Sequence, residues 1–228
     1  MKKKLFVLAL CALCLFGLSG CGNSKINLSD YIIEERNNLF TACDDLYTVT
    51  LSSGMRESNY NLDGIKNDMV EFGVLTIMRN DSQPLANDNY QYTITIGEET
   101  LTGSMEKSQI DNSYSVDLER GFADDSNINV VINFTGYCFN QDLTNTTADF
   151  AVDMDTAIKI ANDNLANDLN DILSDKNTKI EVVTKILKDY STEEVKRYYW
   201  YVGVISTNGD TLGILIDANS GEVIAKKV

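Results

Sequence analysis

The sequence predicts an α+β chain. An N-terminal helix joined to an antiparallel β-sandwich is followed by a second module of one helix and several β-rich runs. Three observations carry this. Apolar residues recur at helical spacing in "LSDYIIEERNNLFTACDDLY", residues 28–47. From Tyr47 to Phe134 the apolar period falls to two, with polar turns between short runs. The charge balance then shifts near residue 148: seven basic against twenty acidic residues in 21–148, but nine against fourteen in 149–228. That shift marks a boundary between modules.

The amino end is a targeting segment. Lys2, Lys3 and Lys4 form a positive start, and Leu5 to Leu18 is almost wholly apolar. The apolar run is too short for an ordinary membrane span and suits a signal peptide. Small Ser19 and Gly20 precede Cys21. This "LSGC" resembles the lipobox of bacterial lipoproteins. The resemblance implies that residues 1–20 are removed and that Cys21 receives a diacylglyceryl group. Residues 21–27 then tether the body to the outer face of a bacterial cell membrane. Two acyl chains give stable anchoring where one holds only reversibly.

In the 28–47 stretch, Ser29 is placed as an N-cap, with Leu28 and Ile33 as a hydrophobic staple across it. Ile32, Leu39, Cys43 and Leu46 make the apolar stripe, which Arg36 interrupts. Alternation then predicts strands at Tyr47–Leu51, Val70–Val74, Tyr114–Leu118 and Ile128–Phe134, with a hairpin from Tyr90 turning at Gly97. Six short strands without an intervening helix predict an antiparallel sandwich over 28–140 that resembles immunoglobulin-like domains in architecture. The Cys…Trp…Cys core is missing, because the one tryptophan is Trp200. Residues 141–152 are polar and turn-rich, as in a linker.

A second helix starts at Asp153 or Asp155, with Ile158, Ala161, Leu165, Leu169 and Ile172 as its apolar stripe. β-branched and aromatic runs follow in "TKIEVVTKILKD", "KRYYWYVGVIS" and "TLGILIDANSGEVIAKK". The helix "DTAIKIANDNL", the strand "YYWYVGVI" and the segment "ILIDANSGEVI" together resemble a PepSY domain over about the last third of the chain. The resemblance implies that residues 153–228 form a helix packed on a small antiparallel sheet, with a peptidase-inhibiting or binding role. The chain contains no peptidase module for it to restrain.

Composition removes several function classes. The chain has no histidine. This excludes Ser-His-Asp and Cys-His catalysis, His-ligated zinc and the usual near-neutral proton carrier. The net charge of −15 opposes nucleic-acid binding. No Gly-rich phosphate loop occurs, and nothing implies a cofactor. An EF-hand loop started at Asp153 puts Ile158 where glycine is required, and one started at Asp217 brings Gly221 a place early. No catalytic or metal residues are therefore expected. Past Cys21 only Cys43 and Cys138 remain, either as one disulfide or as two small buried thiols.

Two stretches are candidate binding surfaces. In "SGMRESNYNLDG", Arg56 and Tyr60 mix charge and aromatic area in a segment outside any clear strand. In "RYYWYVGV", alternation sends Trp200 to one face and Tyr199, Tyr201 and Gly203 to the other. If one face packs on the helix, the two tyrosines form a platform. The expected function is a membrane-anchored extracytoplasmic lipoprotein. It acts as a non-catalytic module that binds an envelope protein or inhibits a secreted peptidase. The acidic surface supports an alternative, a solute- or divalent-cation-binding surface lipoprotein.

Overall fold

The computed structural model describes residues 26–59, 61–81, 83–109, 111–189 and 197–228. The predicted N-terminal helix is replaced by a short 3-10 turn, Leu28–Tyr31, running straight into strand β1, Ile32–Cys43. The reason is that β1 is covered on both faces. Ile32 and Leu39 enter one core and Phe40 enters the other. Buried neighbours seven residues apart, Ile32–Ile33 and Leu39–Phe40, imitate helical spacing. Irregular register after Ile32 and again after Glu35 lets one strand serve both cores.

The next strands are β2 (Tyr47–Glu57), β3 (Met69–Arg79), β4 (Gln91–Ile96), β5 (Glu99–Ser104), β6 (Glu106–Lys107), β7 (Ser113–Leu118), β8 (Ile128–Phe134) and β9 (Tyr137–Asn145). Helix α1 (Met154–Ile172) precedes β10 (Ile180–Lys188), β11 (Tyr198–Ser206), β12 (Thr211–Asp217) and β13 (Val223–Lys227). The predicted sandwich and separate helix-on-sheet module are not what forms. The thirteen strands join in one sheet that forks at β1. Along one edge β1 pairs antiparallel with β2. Along its other edge it pairs first with β10, in parallel, and then with β9.

The β9–β8–β4–β5 branch curls over β1–β2–β3–β7–β6, and the chain crosses from β5 to β6 through Met105. The Met105 N–H donates to the Tyr90 carbonyl at 2.9 Å, which fastens that crossing. The result is a nearly closed barrel rather than two facing sheets. Its interior holds Phe40, Val49, Leu51, Leu75, Ile77, Tyr90, Ile94, Val130, Ile132 and Phe139. Period-two patterning assigns each residue a face but not each strand a neighbour, so the β1–β9 closure was not readable.

The other branch, β10–β11–β12–β13, carries α1. Asp153 caps the helix by accepting from the Thr156 N–H at 2.8 Å. Ala157, Ile158, Ala161, Leu165 and Leu169 are buried against Val182, Trp200, Val202, Ile214 and Ile216. Burial of each larger aliphatic side chain there contributes about 1.5–3 kcal/mol. Leu28, Ile32 and Leu39 belong to the same core. This is why the helix-on-sheet portion does not stand apart: its sheet continues through β10 into β1, and its core uses N-terminal residues. The parallel β1–β10 pair bridges most of the chain and leaves no hairpin signature in sequence. Among the described residues, no helix is long and apolar enough to cross a membrane.

Candidate binding face

Antiparallel pairing of β10, β11 and β12 aligns their outward residues in rows. Val183 stands beside Gly203, and Gly203 beside Gly213. Lys185, Tyr201 and Leu215 make the next row, and Leu187, Tyr199 and Asp217 the one after. The inward residues of these strands pack on α1. The outward Val183, Leu187, Tyr199, Tyr201, Ile205 and Leu215 belong to neither hydrophobic core and are each only half-buried. This face has apolar and aromatic character, and the β2–β3 loop lies over its Glu181 end.

The tyrosines are held in place. Tyr201 lies over the glycine pair: a Cβ on Gly203 would sit 2.7 Å from the Tyr201 hydroxyl oxygen, and one on Gly213 would sit 3.2 Å from its ring. The ring thus covers backbone that two glycines leave bare, as aromatic cover does for glycines in designed sheets. Lys185 Nζ lies 5.5 Å from the Tyr201 ring centroid, within cation–π range. The Tyr199 hydroxyl donates to Asp189 Oδ2 at 3.2 Å. Asp217 ends the row as an anion. Burial works against its charge, but the N–H groups of Ser220 and Asn219 and the Ser220 hydroxyl outweigh it and hold the carboxyl below the usual range. One face therefore offers two fixed phenol rings, aliphatic area, a cation and an anion, a chemistry that suits a peptide or protein surface.

Tyr199 and Tyr201 come together on this face, and Arg56 does not join them. The Arg56 guanidinium pairs with Asp117 at 3.1 Å and lies 4.6 Å from the Phe72 ring centroid. Tyr60 and Cys21 lie outside the described residues. Cys43 and Cys138 are both free and exposed. Val183, Lys185, Leu187 and Leu215 escaped the sequence reading as members of the face. Their own alternation marks them as one-sided, but only the register places them beside the tyrosines.

A concavity of about 530 Å³ opens at the fork, where β9 and β10 diverge from β1. Thr41, Asp142, Thr144, Phe150, Lys188 and Tyr198 are among its walls. Among the described residues, no group of three or more His, Cys, Asp or Glu gathers to hold a metal ion.

Sequence reasoning also missed two buried acids. Glu181 Oε1 accepts from the Asp63 and Gly64 N–H groups at 3.0 and 2.8 Å, and Glu57 Oε1 accepts from the Asn67 N–H at 2.6 Å. They fasten the β2–β3 loop to the sheet. In comparisons with known proteins, no protein-family model, no curated protein and no solved structure matches this chain.

Proposed function

We propose that this chain is a bacterial lipoprotein, anchored through Cys21 to the outer face of the cell membrane, that binds another protein without catalysing a reaction. The partner is an envelope protein or a secreted peptidase, and the contact is made by the outward face of β10–β12. The observation that carries the reading is the fixed Tyr199–Tyr201 pair within an apolar face that belongs to neither core. Such a face loses little side-chain entropy on binding, because its aromatic groups are already ordered. The "LSGC" segment after an apolar run supports the anchor.

A photo-crosslinking amino acid at Tyr199, with a control at Glu99 on the barrel, tests this in the native envelope. A discrete protein adduct at Tyr199 alone is expected. Adducts absent from Tyr199, or equal at both positions, remove the reading.

The cleft at the fork favours a second reading, a small polar solute held between β9 and β10. Native mass spectrometry of protein from its own envelope would then find a bound small molecule, lost on Phe150→Ala. The divalent-cation form of this reading rests on the acidic surface and requires a saturable calcium heat in calorimetry.

A further inference from the structure

One end of the sheet gathers several chain segments. Arg56 near the end of β2 pairs with Glu34 near the start of β1, and Glu57 pairs with Met69 at the start of β3. Ile32 pairs with Val182 at the start of β10, and Lys227 near the C-terminus pairs with Gly213 at the start of β12. Six large apolar side chains are exposed among the described residues, and four lie at this end: Leu62 at 41 %, Ile65 at 53 %, Val70 at 42 % and Val228 at 71 %. Scattered exposed aliphatics are ordinary, and Val70 and Val228 lie at opposite sides of the sheet, so the weight falls on Leu62 and Ile65, which share one loop.

The loop carrying Leu62 and Ile65 is fixed from beneath. Buried Glu181 holds the Asp63 and Gly64 amides, buried Glu57 holds the Asn67 amide, and Lys179 Nζ donates to the Asp63 carbonyl at 3.1 Å. Gly64 takes a φ of 64° to make the bend. The two aliphatic side chains are presented on a backbone that these hydrogen bonds already hold.

The occupant follows from where the chain enters. Asn27 leads through the turn at Leu28–Tyr31 into β1 at this same end. Asn27 stands six positions after Cys21, a reach of at most about 22 Å. We propose that this end faces the bilayer, and that Leu62 and Ile65 enter the boundary between headgroups and acyl chains. This rests on the lipid-anchor reading above. Exposed Lys66, Lys179 and Lys227 stand at this end together with exposed Asp30, Asp63, Asp68 and Asp210. Charge gives this end no net attraction to an anionic bilayer, so the aliphatic side chains carry the contact.

The test uses the full lipidated protein with Cys43 and Cys138 replaced by serine, in phosphatidylcholine–phosphatidylglycerol vesicles. Single nitroxides are placed through Leu62→Cys, Ile65→Cys and, at the far end, Asp45→Cys. The expected result is immersion at 62 and 65, seen as oxygen accessibility with shielding from aqueous nickel, and full nickel accessibility at 45. Nickel accessibility at 62 and 65 in protein whose Cys21 is acylated by mass spectrometry overturns the proposal and leaves the anchor standing. An unmodified Cys21 removes the anchor instead, and immersion of 62 and 65 in that protein still supports the loop's contact. Shielding only after another envelope protein is added overturns the proposal in favour of a protein contact.

The Leu62→Glu/Ile65→Glu double variant gives an independent reading, since both side chains are exposed and folding is expected to be unaffected. On vesicles, trypsin should cut after Lys66 at least tenfold faster in this variant than in the wild type. Equal rates with unchanged Tm overturn the proposal.

Discussion

Gly54 faces the backbone of Glu35 so closely that a Cβ there would stand 1.8 Å from the Glu35 carbonyl oxygen. Register explains the approach. Met55 pairs with Glu35 and Ser53 with Asn38, so Arg36 and Asn37 together oppose Gly54 alone. This is a bulge, and it turns β1 from its partnership with β10 toward β9. Gly54→Ala must push backbone against backbone. It is expected to lower stability by about 3 kcal/mol and Tm by roughly 10 °C. Thermal unfolding followed by circular dichroism measures it, and a Tm within a degree or two of wild type would show that β1 carries no such bulge.

Tyr201 covers Gly203 and Gly213 with ring carbons as well as its hydroxyl oxygen: they lie 2.8 and 3.2 Å from where a Cβ on each glycine would stand. Tyr201→Phe should therefore leave stability unchanged, while Tyr201→Ala should cost about 1–2 kcal/mol by baring sheet backbone. Urea unfolding of both variants separates cover from hydroxyl chemistry. Equal losses in the two would place the stabilisation at the phenol oxygen instead.

These two sites show what the sequence made legible and what it hid. Alternation in "YYWYVGV" correctly opposed Trp200 to Tyr199 and Tyr201, because a strand's faces follow from its own period. An aspartate cap at 153 or 155 was recognisable, since capping chemistry is local, and Asp153 is the one that caps. β1 was misread because its two-sided burial copies helical spacing, and nothing near Gly54 in sequence reveals the bulge pressed against it. The fork and the barrel closure depend on the β1–β10 and β1–β9 pairings, contacts between segments more than a hundred residues apart. Lys185, Leu187 and Leu215 could be assigned to the tyrosine face only once the β10–β11 and β11–β12 registers existed.

Trp200 joins the two ends of its own core. Its ring is 2 % exposed, and its Nε1–H donates to the Val152 carbonyl at 2.8 Å just ahead of the helix cap. Trp200→Phe removes ring volume and leaves that buried carbonyl without its donor. The loss is expected at roughly 2–3 kcal/mol. As Trp200 is the only tryptophan, wild-type emission should be blue-shifted and should move red in a single step with unfolding. Emission typical of water-exposed indole in the folded protein would contradict the packing of α1 on β11.

The β2–β3 loop offers a test of a buried acid. Glu181 is 1 % exposed, uses Oε1 for two loop amides, and leaves Oε2 buried without a partner among the described residues. Glu181→Gln keeps an acceptor while removing the buried charge, so the loop should stay fastened. Glu181→Ala removes the acceptor, and exchange of the Asp63 and Gly64 amides should accelerate about tenfold or more, by the worth of a charge-assisted hydrogen bond. Hydrogen exchange resolved by residue decides it. Faster exchange in the Gln variant as well would assign the fastening to charge rather than to acceptance.

Acid titration should show two opposite signs in one protein. The carboxyl of Asp153 lies below its usual range because the Thr156 hydroxyl and N–H hydrogen-bond to it. Asp217 is lowered too: burial opposes its charge, but the N–H groups of Ser220 and Asn219 prevail. A depressed carboxylate adds stability above its unfolded pKa, near 4, and loses that contribution as pH falls through the lower folded value. Glu35 behaves in reverse. Burial raises it most, the nearby Lys66 lowers it and Asp155 raises it, so the folded state binds its proton more tightly than the unfolded chain does. Its contribution therefore improves as pH falls through the raised folded value. Wild-type stability should decline from about pH 4 downward, and Asp153→Asn/Asp217→Asn should flatten that decline. Glu35→Gln should gain stability at neutral pH, a gain that fades as pH falls from the raised folded value toward about 4.5, and should leave the limb below pH 4 unchanged. Urea midpoints across pH 2–8 for the three proteins measure both effects, and an unchanged slope in the double variant would move the acid sensitivity to other carboxylates.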